Sequence, residues 1–243
     1  SDELKRAKET WKVTYPDNLV RYIEAFRRHY WDHEGICRLL DEFFKKVGNV
    51  RSVCELGSGA GTNMLYLAEF GYQCFGYDAS SESIEISVAG ARQAGRDVKF
   101  AQLDFTRELP DRKFDAVVSL FVPISLTDME QLLARAASIV RPGGYYGCML
   151  LAVQPEYRDQ AHVSKQSTEY LHVNDSEVLR QNFYRKRGSQ IDYEGVYFVG
   201  DASGTRMAVD RDTYDLVVDN QMLRFSADTY RHIDRQQIHG KPD

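Results

Sequence analysis

Basic charge, long apolar runs and paired cysteines are all scarce in this sequence, and each shortage excludes something. Asp and Glu total 36 against 31 Lys and Arg, for a formal net charge of -5. That balance repels a phosphate backbone rather than collecting it by counterion release, so nucleic acid is not the expected partner. No run of about 18 apolar residues exists to span a bilayer, so no membrane is expected either. The four cysteines, Cys37, Cys54, Cys74 and Cys148, form no C-x-x-C pair. The last three lie in apolar runs that read as buried strands, which makes them core residues rather than metal ligands or disulfides. This usage fits a reducing cytoplasm. The chain opens Ser-Asp-Glu-Leu-Lys-Arg with no visible signal peptide, and a cytoplasmic location is the expectation.

What is present is an ordinary globular balance, 43% hydrophobic and 28% charged, on 243 residues. One α/β domain with additions suits that length better than two independent domains. Leu19, Tyr22, Phe26 and Tyr30 recur about one turn apart, and Ile36, Leu39, Leu40 and Phe43 follow on a stretch ending near Gly48, so two helices precede the first strand. From residue 50 apolar runs alternate with helical stretches: strands at 50–56, 73–77, 98–103, 114–120 and 145–153, helices at 65–70, 84–94 and 129–140. That rhythm predicts a parallel sheet with helices on both faces. Residues 154–174 lack clear periodicity and read as a long connection over the sheet's carboxyl edge. Asp175 or Ser176 caps a predicted helix running to about Arg187, with strand-like runs at 191–199 and 213–219 beyond it. Gly200-Asp-Ala-Ser-Gly204 is a turn signal, and 205–210 is open to an extra strand. The expected division is a helical lid at 1–46, a core at 47–220 whose 154–174 segment meets substrate, and a tail at 221–243.

The most informative stretch is Cys54-Glu-Leu-Gly-Ser-Gly-Ala-Gly61, which follows a strand and opens a helix. A dinucleotide fingerprint needs G-x-G-x-x-G, whereas Gly57, Gly59 and Gly61 give G-x-G-x-G with Thr62 next. A P-loop needs a lysine, and none is near. Glu55 places a carboxylate at the entrance of the loop, where it repels phosphate and suits an ammonium group. Asp78 ends the next strand, where a carboxylate accepts from ribose hydroxyls, and Asp104 ends the third, within reach of an adenine amino group. An adenosine carrying a cationic amino acid satisfies all three.

At these residues the chain resembles the class I S-adenosylmethionine-dependent methyltransferases of small-molecule type. The matching pieces are Glu55-Leu-Gly-Ser-Gly-Ala-Gly61, Gly76-Tyr-Asp78, Leu103-Asp104-Phe105, Lys113-Phe-Asp-Ala-Val-Val-Ser119 and Val140-Arg-Pro-Gly-Gly144, in the family's order. The resemblance covers roughly residues 48–220. It implies a Rossmann-like three-layer α/β sandwich, with a seven-stranded, mostly parallel sheet whose last strand is antiparallel. It implies S-adenosyl-L-methionine as cofactor, with Glu55, Gly57, Gly59, Gly61, Asp78 and Asp104 at the cofactor contacts. It also implies methyl transfer to O or N of a small-molecule acceptor.

Other readings stay open. The glycines serve equally as a tight strand-to-helix turn, Asp78 as a cap for the helix after it, and Asp104 as a turn residue. The aromatics Trp11, Tyr15, Tyr22, Phe26, Tyr30 and Trp31 either wall a cation pocket or complete the core. For the acceptor, Trp11, Tyr15, Phe121 and Tyr170 are the candidate contacts, and Tyr30, His162 and His172 the candidate bases. Residues 120–125, Leu-Phe-Val-Pro-Ile-Ser, lack the histidine or other polar group that many small-molecule members carry after the fourth strand. His29 and His33, four apart, resemble a metal pair, but no third ligand is placed by spacing, and no metal is expected. The rival functions are an NAD-dependent oxidoreductase, a protein methyltransferase and a nonenzymatic cofactor-binding subunit. A homodimer is compatible with all of them.

Overall fold

In the computed structural model the described residues are 19–120, 122, 126–148, 160, 162–188 and 190–215, with backbone alone at 126–131, 212, 214 and 215. Two helices lead, α1 (Val20–Tyr30) and α2 (His33–Val47). The Asp32 side chain caps α2 by accepting the Gly35 N–H at 2.9 Å, and Gly48 ends it in the left-handed region at φ 77°. Both helices fall where the periodicity places them. His29 ends up on α1 and His33 on α2, with the break at Trp31 and Asp32 between them, so the pair does not share a helical face.

Then come β1 (Ser52–Leu56), α3 (Thr62–Glu69), β2 (Gln73–Asp78), α4 (Ser81–Ala94), β3 (Lys99–Gln102), β4 (Phe114–Ser119), α5 (Leu126–Ile139) and β5 (Val140–Cys148). The five strands form a parallel sheet in the order β3-β2-β1-β4-β5. All five residues of β1 are buried, as expected of a central strand covered on both faces. Val53 packs with Cys37, Phe44, Met64 and Leu67 of α2 and α3. Cys54 and Leu56 point the other way, towards Leu132, Leu133 and Ala136 of α5. The cysteines are free, three buried and Cys148 half-buried.

The carboxyl-terminal part departs from expectation. Residues 162–173 form a strand, β6 (His162–Val173), instead of a loop, and the predicted helix from 175 to 187 is a second strand, β7 (Ser176–Arg187). With β8 (Gln190–Asp201) and β9 (Gly204–Asp215) they make a separate antiparallel sheet in sequential order. So, among the described residues, the architecture is five parallel strands plus four antiparallel ones, in place of a single seven-stranded sheet.

The cause lies in the pattern of β7. Its inward residues, Ser176, Val178, Arg180, Asn182 and Lys186, are buried yet mostly polar, which hides the two-residue period. Asn174, at φ 54°, turns the β6–β7 hairpin, and the Gly200–Gly204 turn signal does join β8 to β9. Helix α1 lies on the inner face of this sheet, with Leu19, Tyr22, Ile23 and Phe26 packed on Val178, Tyr197 and Val199. No helix among the described residues is long and apolar enough to cross a membrane.

Candidate functional site

The glycine loop emerges from β1 and is fastened to β2: the N–H groups of Gly57 and Ser58 donate to the Tyr77 carbonyl at 2.8 and 2.9 Å. All three glycines have positive φ, 77°, 51° and 77°, a conformation that disfavours side chains. What stands over them differs. A Cβ on Gly61 would meet the Phe100 ring at 2.4 Å, and one on Gly57 would meet Val122 at 2.5 Å. At these two positions the missing side chains make room for the protein itself. Only over Gly59 is the neighbour a charged group, the Glu24 carboxylate of α1, 3.2 Å from where the Cβ would be.

Three carboxylates surround this loop. Asp78, at the end of β2, accepts the Gly59 N–H at 2.8 Å with Oδ2 and the Ser80 N–H at 2.9 Å with Oδ1. The helix-cap role falls to Ser80, whose Oγ accepts from the Ser83 N–H at 3.2 Å. Burial pushes the Asp78 carboxyl up from its ordinary value, against the pull of those two hydrogen bonds. Glu55 is only 1% exposed. Its Oε1 accepts from Asn63 Nδ2 at 2.7 Å, and Asn63 Oδ1 in turn meets His33 Nδ1 at 2.7 Å. Glu55 Oε2 has no partner among the described residues. Burial, followed by the charges of Asp78 and Glu24, holds the Glu55 carboxyl well above the usual range, while the Asn63 bond opposes the shift. Glu24 itself is paired with Arg27 at 2.7 Å.

The loop therefore presents excess negative charge and an unsatisfied buried carboxylate oxygen. Such a site suits a ligand bearing positive charge and hydroxyl or ammonium donors. Asp104 stands apart from this group. It is half-exposed, its Oδ1 accepts from the Thr106 N–H at 3.0 Å and Oγ1 at 2.5 Å, and its Oδ2 lies 3.3 Å from Arg107. The turn role is thus filled, and each carboxylate oxygen has a partner.

The methyltransferase-domain family matches residues 26–193, more than half of the chain. The chain belongs to this family. The ubiquinone biosynthesis O-methyltransferase of Paramagnetospirillum magneticum is 28% identical over 136 residues, covering 56% of this chain and 53% of that protein. Its counterpart in Brucella anthropi is 29% identical over 158 residues, 56% of this chain and 64% of that one. The chain thus spans between about half and just under two thirds of the length of these relatives. The fold is shared with the sugar N-methyltransferase KedS8 of a Streptoalloteichus species, at a TM-score of 0.67 and 16% identity, over 80% of this chain and 78% of that one. It is shared too with DesVI of Streptomyces venezuelae, at 0.63 and 19%, over 83% and 84%.

The candidate acceptor residues are scattered. Trp11, Tyr15 and Phe121 lie outside the described residues. Tyr30, 46% exposed, is the last residue of α1 and stacks on Phe26. His162 and His172 occupy opposite ends of β6, ten residues apart, which at strand rise is roughly 33 Å. They cannot flank one reacting atom. His172 Nδ1 sits 3.0 Å from Glu177 across the hairpin, and Tyr170 is 55% exposed. Of the expected aromatic wall, Tyr22 and Phe26 are buried in the core beneath the second sheet.

Sequence reasoning missed the inner face of that sheet. The buried Arg180 donates to Glu169 at 2.6 Å and lies over the Phe26 ring, 4.2 Å from its centroid. One layer on, Asn182 donates to Ser167 Oγ at 3.1 Å and accepts from Tyr193 at 3.0 Å. Gly195 lacks a side chain because a Cβ there would meet the Tyr193 hydroxyl at 2.3 Å. The face thus passes from apolar under α1 to polar beyond Phe26. The signal available in the sequence was Asn174-Asp175 between two equal runs, a hairpin turn.

Proposed function

We propose that this methyltransferase binds S-adenosyl-L-methionine over the carboxyl ends of β1 and β2 and transfers its methyl group to O or N of a small polar acceptor. A metabolite, a sugar or a natural-product intermediate fits that description. The observation that carries the reading is the trio of Glu55, Asp78 and the glycine loop, three parts of one cationic-nucleoside cradle on adjacent strand ends. When bound, the sulfonium supplies an electrophilic methyl group. Asp78 would accept from the ribose hydroxyls and Asp104 from the adenine amino group, and the backbone of Gly59 would lie against the ligand. Glu55 receives positive charge at the loop's entrance.

The protein's share of catalysis is then mainly orientation and exclusion of water, since in-line displacement at a sulfonium asks little general acid chemistry. The acceptor is placed against the β6–β9 sheet, whose inner face is held rigid by the bonds of Arg180, Asn182 and Tyr193. Helix α1, between that face and the loop, acts as the lid's inner wall. Tyr30 or one of His162 and His172 acts as base where the acceptor must lose a proton. The O-methyltransferase relatives and the sugar N-methyltransferase sharing the fold support these two acceptor atoms.

The test is transfer of labelled methyl from S-adenosylmethionine to a panel of phenols, sugars and amino sugars. Label in one acceptor class, lost in Asp78→Ala, is the expected result. Tight cofactor binding without transfer to any acceptor would point instead to a binding subunit.

A further inference from the structure

Gly59 is approached from two sides: Asp78 takes its N–H, and Glu24 of α1 covers its open face with a carboxylate oxygen 3.2 Å from the Cβ position. Only 11% of the Glu24 side chain is exposed. A carboxylate so placed fills the space that a ligand lying on the loop must enter. Its partner is Arg27, one turn along the same helix, whose guanidinium also stacks 5.2 Å over Trp31. At the end of β1, Glu55 Oε2 is buried and lacks a partner among the described residues, an independent mark that a donor is missing here.

Resting on the S-adenosylmethionine reading, we propose that Glu24 is a cofactor-binding residue: its carboxylate receives the α-ammonium group of the methionine moiety, replacing Arg27 as the cation it pairs with. Two further considerations support this assignment. The ligand's ammonium is a compact cation with three donors, the kind of group that pairs with a largely buried carboxylate such as Glu24. The negative charge of Glu24 reaches both Glu55 and Asp78 and raises both carboxyls, so a cation arriving among them relieves repulsion at all three. The pair it displaces spans one turn of a single helix, with side chains 22% and 11% exposed, and the ammonium gives Glu24 a cation in place of the one it loses. The role extends the site from the sheet to the amino-terminal helix that also supports the second sheet through Tyr22 and Phe26.

The test is calorimetry with two probes, S-adenosylhomocysteine, which carries the ammonium, and 5′-methylthioadenosine, which keeps the nucleoside and thioether but lacks it. Glu24→Gln should weaken S-adenosylhomocysteine about tenfold or more and leave methylthioadenosine within about twofold. Arg27→Gln, which removes the internal competitor, should leave S-adenosylhomocysteine binding as tight or tighter, and it keeps the proposal testable if Glu24→Gln fails to fold. Equal losses for both probes, no loss for either, or weaker S-adenosylhomocysteine binding in Arg27→Gln would overturn the assignment while leaving the cofactor reading intact. A wild-type chain that binds neither probe overturns both.

Discussion

Asp78 and Gly59, nineteen residues apart, are joined by a 2.8 Å hydrogen bond from the glycine N–H to the carboxylate, so the loop after β1 and the acid after β2 form one unit. Removing the carboxylate in Asp78→Ala should therefore do two things. It unpairs the ribose hydroxyls, costing about 1–3 kcal/mol of cofactor binding, and it frees the Gly59 and Ser80 N–H groups, lowering the stability of the unliganded chain. Titration calorimetry and thermal melting read the two effects separately; unchanged cofactor affinity would remove Asp78 from the site.

Glu55 predicts an unusual gain. Its carboxyl is raised in the folded chain, chiefly by burial, so its contribution to stability is present below the ordinary carboxylate range and is lost as pH rises through the raised folded-state value. Glu55→Gln keeps an acceptor for Asn63 and removes the buried charge. The variant should be more stable than wild type by about 1–3 kcal/mol at pH 8 and show little difference near pH 4, while binding cofactor more weakly. Urea unfolding at the two pH values checks this, and a less stable variant at pH 8 would contradict it.

Asp115 works in the opposite direction. At the start of β4 its Oδ2 accepts from the Arg51 N–H, the Ser52 N–H and the Ser52 hydroxyl at 3.0, 2.8 and 2.9 Å, and its Oδ1 from Arg141 at 2.8 Å. Partial burial raises the carboxyl, but these bonds outweigh it and hold it below the ordinary value. Its stabilisation is present above the unfolded value and is lost as pH falls through the depressed one. Asp115→Ala should cost about 1–3 kcal/mol at neutral pH, a difference that shrinks in strong acid. Equal denaturation midpoints at neutral pH would refute the role.

The separation of His162 and His172 along β6 makes a kinetic prediction. Only one of them reaches an acceptor at a given site, so at most one of His162→Ala and His172→Ala should lower kcat, and neither should change cofactor affinity. Losses of tenfold or more in both single variants would contradict the geometry.

The parallel half of the fold was legible because its strands are short and largely apolar, as in Phe114-Asp-Ala-Val-Val-Ser119, and alternate with helices that carry their own caps. In the second sheet β8, β9 and the turn between them follow the strand-like runs and turn signal of the sequence, but β6 and β7 were not legible, because β7 is buried through hydrogen bonds rather than apolar side chains. Arg180, Asn182 and Lys186 are buried at alternate positions but read as surface residues in sequence. The same limit applied at the proposed cofactor site. Glu55 and Asp78 announce themselves by their distance from the glycines, whereas Glu24 stands on a helix 35 residues before Gly59, and only packing brings it over the loop. Gly61 shows the converse: its glycine is required by Phe100, a residue of the third strand that no local motif connects to it.

The most direct test of the account is calorimetric titration of the intact chain with S-adenosylmethionine and, separately, with NAD. Saturable binding of S-adenosylmethionine at one site per chain, with no heat from NAD, is the predicted result. Tight NAD binding with no response to S-adenosylmethionine would contradict it.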